Sequence, residues 1–365
     1  MRQLEKLIII TTISIALGFG FLHLLIPDIM FDRLHIFLFN LCAGGSLILF
    51  YTSNQKIFSV WTWVFYGIAL CFAMSAFFEY YMISILCALS LSICVERIRI
   101  QQFSLFPWGF FKQTEPVWQK FHQASLLCLS LGLCFSILAM INQAYCPFFD
   151  SPKFQLNTFF LGFSFPLSLI TFSLMFRLMP HHEISWLHWA KEAIFWAING
   201  GVIIFFVFIL LGSYQGEFLI SMLLLIAIIS TLIIQLIYAA PGQQKWVFVS
   251  GLCFLLATAL TGLLYIIDYF FPHLIHEKLT LELHTIFSLY GWNLSGLIMI
   301  CRFNDFPLHL KTKYFVLMHW IVIAVLSPFA YHYTLIALIT WLSFIAFLWI
   351  VLFTNNELTS SHGGL

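Results

Sequence analysis

Thirteen histidines stand in a chain of 365 residues of which only 8% are Asp, Glu, Lys or Arg, so imidazole supplies much of its chemistry. A neutral imidazole ligates metals and serves haem iron as an axial ligand, and several at one depth could build a cofactor site. Two histidines open apolar runs that continue into small residues. His35 lies in Arg33-Leu34-His35-Ile36-Phe37-Leu38-Phe39-Asn40, with Ala43-Gly44-Gly45 two to three helical turns further on. His284 lies in Leu283-His284-Thr285-Ile286-Phe287, followed by Gly291-Trp292-Asn293 and Gly296. Small residues beyond each histidine would let a flat ring approach the helix backbone. His23, with Gly18 and Gly20 on its own helix, is a further candidate, and His273, His276 and His332 join it as candidate metal ligands. Any one of them alone equally suits the headgroup zone, where an amphipathic ring keeps its body in lipid and its tip in water.

The elements that carry these residues follow from composition. A chain that is 62% apolar, with 43 Phe and a mean hydropathy of +0.98, cannot hide its side chains inside a water-soluble globule. A helix crosses a hydrocarbon layer of about 30 Å with roughly 20 apolar residues. Runs of that length predict an all-α, polytopic membrane bundle of about twelve spans in a single transmembrane domain. The spans fall near 8–26, 34–52, 57–75, 78–95, 121–141, 156–178, 191–213, 217–238, 246–267, 283–301, 314–331 and 333–353. The third and fourth, and the eleventh and twelfth, are so closely joined that either pair could instead be one re-entrant hairpin.

Basic residues orient the bundle. With both termini in the cytoplasm, the inner side receives Arg2, Lys6, Lys56, Arg97, Arg99, Lys112, Lys120, Arg177, Lys191, Lys245, Arg302, Lys311 and Lys313, and the outer side only Arg33, Lys153 and Lys278. That asymmetry is the positive-inside pattern, and removing one span would scramble it. It places His23, His35, His273, His276, His284 and His332 at the outer side, with His35 and His284 each within about one turn, roughly 5.4 Å, of a helix end. The opening Met-Arg-Gln-Leu-Glu-Lys feeds an apolar stretch that ends at Pro27-Asp28, with no small-residue cleavage site, so the first span is expected to be retained. The expected location is the cell membrane, multi-pass, which is the inner membrane if the source is bacterial.

Other residues narrow the choice of chemistry. The connector 96–120, with Glu96, Arg97, Arg99 and Phe106-Pro107-Trp108, reads as a basic, aromatic segment on the cytoplasmic leaflet. His181-His182-Glu183 and His188, beside Trp186 and Trp189, could bind a divalent ion or form an interfacial turn. His122 and His319 open spans from the inner side, shallow enough to reach the interface. Eight of the nine cysteines sit within apolar spans without a CxxC pair and read as small packing residues. No carboxylate lies deep in a span, which counts against an ion-coupled carrier. A net charge of +1 without a basic run excludes nucleic acid as a partner, and no Walker or Rossmann glycine loop is present.

Twelve helices with a histidine near the outer end of the second and another near the outer end of the tenth resemble the catalytic subunit of haem–copper oxidases and the related NnrS-type membrane proteins. His35-x-Phe37 followed by Gly44-Gly45 is similar to the second helix of the oxidases. His284 followed by Gly291-Trp292-Asn293 is similar to the tenth helix of C-type oxidases and nitric oxide reductases, and the stretch from His284 to Arg302 and His309 to a helix of NnrS. The resemblance implies haem b, with His35 and His284 as axial ligands or as two sides of one site. The chain departs from the family in two places. Ile286 stands where the oxidases carry the second histidine of a His-x-His pair. Spans six and seven offer Gln155-Leu156-Asn157 and Leu211-Gly212-Ser213-Tyr214 in place of copper-binding histidines. An oxygen-reducing copper centre is therefore not expected. Two other functions remain open: a transporter of a small solute, and a structural or assembly subunit that packs against other membrane proteins through its Phe-rich faces.

Overall fold

The computed structural model describes residues 1–26, 28–147, 160–179, 185–271 and 277–355. Of the described residues, 84% are helical and none forms a β-strand. Twelve helices are described: α1 (Gln3–Leu25), α2 (Phe31–Ser53), α3 (Val60–Phe77), α4 (Tyr81–Gln102), α5 (Val117–Ala144), α6 (160–177), α7 (Ser185–Leu211), α8 (Tyr214–Tyr238), α9 (Gln243–Phe270), α10 (277–301), α11 (Thr312–Ala330) and α12 (Thr334–Phe353). Each coincides with one expected span. Ten of them are long and apolar enough to cross a membrane. The two that fall short are α6, whose described apolar stretch is Gly162–Arg177, and α10, which opens on Glu277-Lys278-Leu279-Thr280-Leu281-Glu282. The closely joined pairs are full helices, of 18 and 22 residues for α3 and α4 and 19 and 20 for α11 and α12, so each member has the length to cross by itself.

Helix ends follow local chemistry. The Ser59 hydroxyl accepts from the Thr62 amide at 3.1 Å and caps α3, and Ser213 does the same for α8 through the Gly216 amide at 3.4 Å. Asn54 stops α2 with φ of 50°, a left-handed C-cap that Asn tolerates better than most residues. Inside the helices, main-chain groups bond within the rod, as a chain surrounded by lipid requires.

The chain divides into two compact units, Met1–Ile170 with Ala330–Leu352, and Thr171–Phe329 with Phe353–Leu365. In the first, α2 is the central rod, with 94% of its apolar window buried against protein against 33% for α3 and α4, so its small and polar residues face neighbours and not lipid. The Trp341 indole ties α12 to α1 by donating to the Ser14 carbonyl at 2.8 Å. In the second unit, α9 packs on both α8 and α10, and Trp292, fully buried, lies 4.9 Å from the Phe172 ring.

Four helices carry local π geometry: α2 over Phe37–Gly45, α6 over Phe160–Ser164, α10 over Ile286–Asn293 and α11 over Ile321–Leu326. Those of α2, α10 and α11 begin two residues after a histidine, at His35, His284 and His319, whereas the α6 segment has no histidine near it in the sequence. Runs of π-helix are rare and concentrate at functional sites, so the three that follow a histidine draw notice to those residues.

Candidate ligand-binding histidines

His35 is 6% exposed, and its Nδ1 lies 2.7 Å from the carbonyl oxygen of Ala16 on α1. Four residues along the same face of α1 comes Gly20, where a Cβ would stand 3.1 Å from Nδ1 and 3.2 Å from Cγ of the ring. The imidazole therefore lies against the α1 backbone, in room that exists because residue 20 has no side chain. His284, in the second unit, repeats the arrangement. Its Nδ1 is 2.9 Å from the Thr258 carbonyl on α9, and a Cβ on Gly262, again four residues along, would stand 3.0 Å from Cε1 and 3.1 Å from Nδ1. Residues four apart share one helix face, which is why a carbonyl and a glycine can serve the same ring.

This geometry fixes a tautomer. A carbonyl only accepts, so Nδ1 carries the proton in both rings and Nε2 of the neutral imidazole carries the lone pair. A histidine that donates its far N–H to a main-chain carbonyl is the usual posture of a metal-bound imidazole, because the bond orients the ring and raises its basicity. Each carbonyl bond is worth about 1 kcal/mol to stability.

Other sequence-predicted residues fare differently. His23 places Nδ1 3.1 Å from the Ile29 carbonyl, a fastening of the loop after α1, and His332 is exposed in the turn between α11 and α12. His273 and His276 lie outside the described residues, as do His181, His182 and Glu183. Among the described residues, no three His, Cys, Asp or Glu side chains are grouped to hold a metal ion. Trp186 and Trp189, 50% and 57% exposed beside His188, lie at the start of helix α7.

His122 and His319, expected to reach the interface, are both buried among protein side chains. His122 is buried, with Nε2 2.8 Å from the Thr52 hydroxyl and its ring 5.1 Å from that of Tyr51. His319 has no exposed surface, donates from Nε2 to the Tyr290 carbonyl at 3.0 Å, and packs 5.1 Å from the Phe254 ring. Its proton thus sits on the opposite nitrogen from that of His35 and His284.

The small residues on the histidines' own helices do not open a slot for a flat ring. Leu167 occupies the space beside Gly44, Phe65 that beside Gly45, Phe254 that beside Gly291 and Thr171 that beside Gly296. Gly18 faces the Trp341 ring, and Gly20 receives His35 and not a group near His23. These glycines bring helices together, as small residues do in membranes. The partners that matter for the two imidazoles, Ala16, Thr258 and Gly262, escape the sequence reading because they lie on neighbouring helices. The one signal available is a glycine in an apolar helix four residues after another small or β-branched residue.

Comparison of the chain with protein-family models, with curated proteins and with solved structures finds no match.

Proposed function

We propose that this chain is a twelve-span integral protein of the cell membrane, with both termini in the cytoplasm, and that the imidazoles of His35 and His284 are the groups that would ligate haem b. The reading is supported by the positive-inside distribution of Lys and Arg and by the twelve described helices at the expected positions. The observation that carries the cofactor is the doubled cradle: in each unit a ring holds its Nδ1 proton on a main-chain carbonyl and rests on a glycine where a Cβ would displace it. One imidazole per cradle suits haem iron, which takes one or two protein ligands, better than a bare divalent ion, which takes three or four from side chains. In this reading Ala16 and Thr258 orient the rings, and Gly20 and Gly262 admit them. Bound haem would supply one-electron exchange.

The test is an absorption spectrum, oxidised and dithionite-reduced, of protein purified from haem-replete cells. A Soret band is expected, diminished or abolished by His35→Ala and by His284→Ala. Colourless wild-type protein would overturn the proposal and return the choice to a carrier of a small solute or an assembly subunit for other membrane proteins.

A further inference from the structure

A second built site lies in the first unit, in the connector between α4 and α5, and is independent of the histidines. Arg99, 2% exposed, grips Glu96 with Nη2 to Oε2 at 2.6 Å and donates to the carbonyls of Ser104 and Leu105 at 2.9 and 2.8 Å. That clamp gives the connector a fixed course. A short 3₁₀ turn, Trp108–Phe111, follows, its Phe110 buried and its carbonyl accepting from the Lys120 ammonium at 3.2 Å. Between this turn and the start of α5 is a cavity of about 250 Å³, well above the roughly 10–15 Å³ that one water needs.

The lining of the cavity specifies its occupant. Lys112, Lys120 and Glu115 face it, leaving a formal excess of one positive charge. Gln123 lines it too, is only 3% exposed, and its Nε2 has no hydrogen-bond partner. An amide N–H2 only donates, so what is missing there is an acceptor, and buried donors without acceptors are costly. Gly109 keeps the wall open, since a Cβ there would stand 3.3 Å from Gln123 Oε1. Trp108 also lines the cavity, and it is 61% exposed in a row with Leu105 at 74%, Phe106 at 50% and Phe111 at 65%. Exposed aromatic and apolar residues on a connector between two membrane-length helices belong at the depth of lipid headgroups, where phosphate is the abundant anion.

We propose that this cavity binds a phosphoryl group, whose oxygens accept from Gln123 Nε2 and from the ammonium groups of Lys112 and Lys120. A phospholipid headgroup and a free phosphate share that chemistry. Glu115 at the same site would pair with an amine on a headgroup that carries one.

The experiment titrates the purified full chain in detergent, by calorimetry, with dihexanoylphosphatidylglycerol, with inorganic phosphate and with dihexanoylglycerol, which lacks the phosphate. Phosphatidylglycerol should bind, and Gln123→Met and Lys112→Met should each weaken it at least tenfold. Binding of the lipid alone assigns the site to a headgroup, and binding of inorganic phosphate with the same sensitivity assigns it to the free anion; either supports the proposal. No binding of either phosphate compound, equal binding of dihexanoylglycerol, or variants that bind like the wild type would overturn it. Should Gln123→Met fail to fold, Gly109→Leu, which fills the cavity from the connector, carries the same expectation.

Discussion

Gly132→Ala, a change of one methyl group, is expected to cost this protein more stability than any other single glycine-to-alanine change in its first unit. Gly132 of α5 and Gly162 at the start of α6 meet backbone to backbone. A Cβ on Gly132 would fall on the Cα, C and O atoms of Gly162, and one on Gly162 would stand 2.7 Å from the Gly132 Cα. Carbon atoms settle at about 3.5–4.0 Å, and backbone cannot swing aside as a flexible side chain can, so the two helices must part. Parting them also strains the Ser125 hydroxyl bond to the Pro166 carbonyl, 2.7 Å, and the edge contact of Phe37 with Phe163 at 6.0 Å. The cost should reach or exceed the upper end of ordinary overpacking, about 3 kcal/mol. Gly67→Ala in α3 and Gly200→Ala in α7 are the controls, since an added Cβ at either meets nothing within 4 Å. Those two should be neutral or gain up to about 1 kcal/mol of helix propensity. The measurement is Tm in detergent with the monodisperse fraction on gel filtration. A Gly132→Ala protein as stable as the two controls would show that the close helix contact is not essential.

How far the sequence reveals such features depends on which helix carries the information. Span positions are legible because lipid imposes a length and an apolarity that each segment must meet by itself: the runs 57–75 and 217–238 reappear as Val60–Phe77 and Tyr214–Tyr238. The histidines of α2 and α10 are likewise legible as candidates, since their place near the start of an apolar run is a property of their own segment. The small residues that admit them are not. A side chain projects away from its own axis, so the glycine that makes room for a ring belongs to the facing helix, and Gly20 serves His35 while Gly44 and Gly45 receive Leu167 and Phe65. Carbonyl partners such as Ala16 and Thr258 leave no trace in residue type at all. The same limit hides the surroundings of His319, seven residues into α11, because Tyr290 and Phe254 belong to neighbouring helices. The π segments are also hidden, because the apolar pattern of Phe37–Gly45 suits either helix type.

If the proposed haem is bound, Gly20→Val and Gly262→Val should each remove the Soret band expected from the histidine beside them, while leaving the helices intact. The added Cβ alone would press on Nδ1 of His35 at 3.1 Å, or on Cε1 of His284 at 3.0 Å, and the two further methyls of valine leave the ring no place against the backbone. The ring must swing out, which breaks the Nδ1 bond to Ala16 or Thr258 and frees the proton to move to the other nitrogen. Loss of such an orienting bond lowers ligand affinity by about 10–100-fold, and the displaced ring adds to that. The cost in stability is small by comparison, near the roughly 1 kcal/mol of one hydrogen bond plus the strain of repacking. Gly18→Val separates the cradle from general damage to α1, because a Cβ at residue 18 meets the Trp341 ring at 3.3 Å and not His35. The expected pattern is a Soret band kept in Gly18→Val and lost or strongly weakened in Gly20→Val, at comparable Tm. Wild-type haem content in both Gly20→Val and Gly262→Val would mean that neither cradle holds a ligand. Loss in only one would assign the haem to the unit that contains it, and would leave the other imidazole as a packing residue secured to its neighbour's backbone.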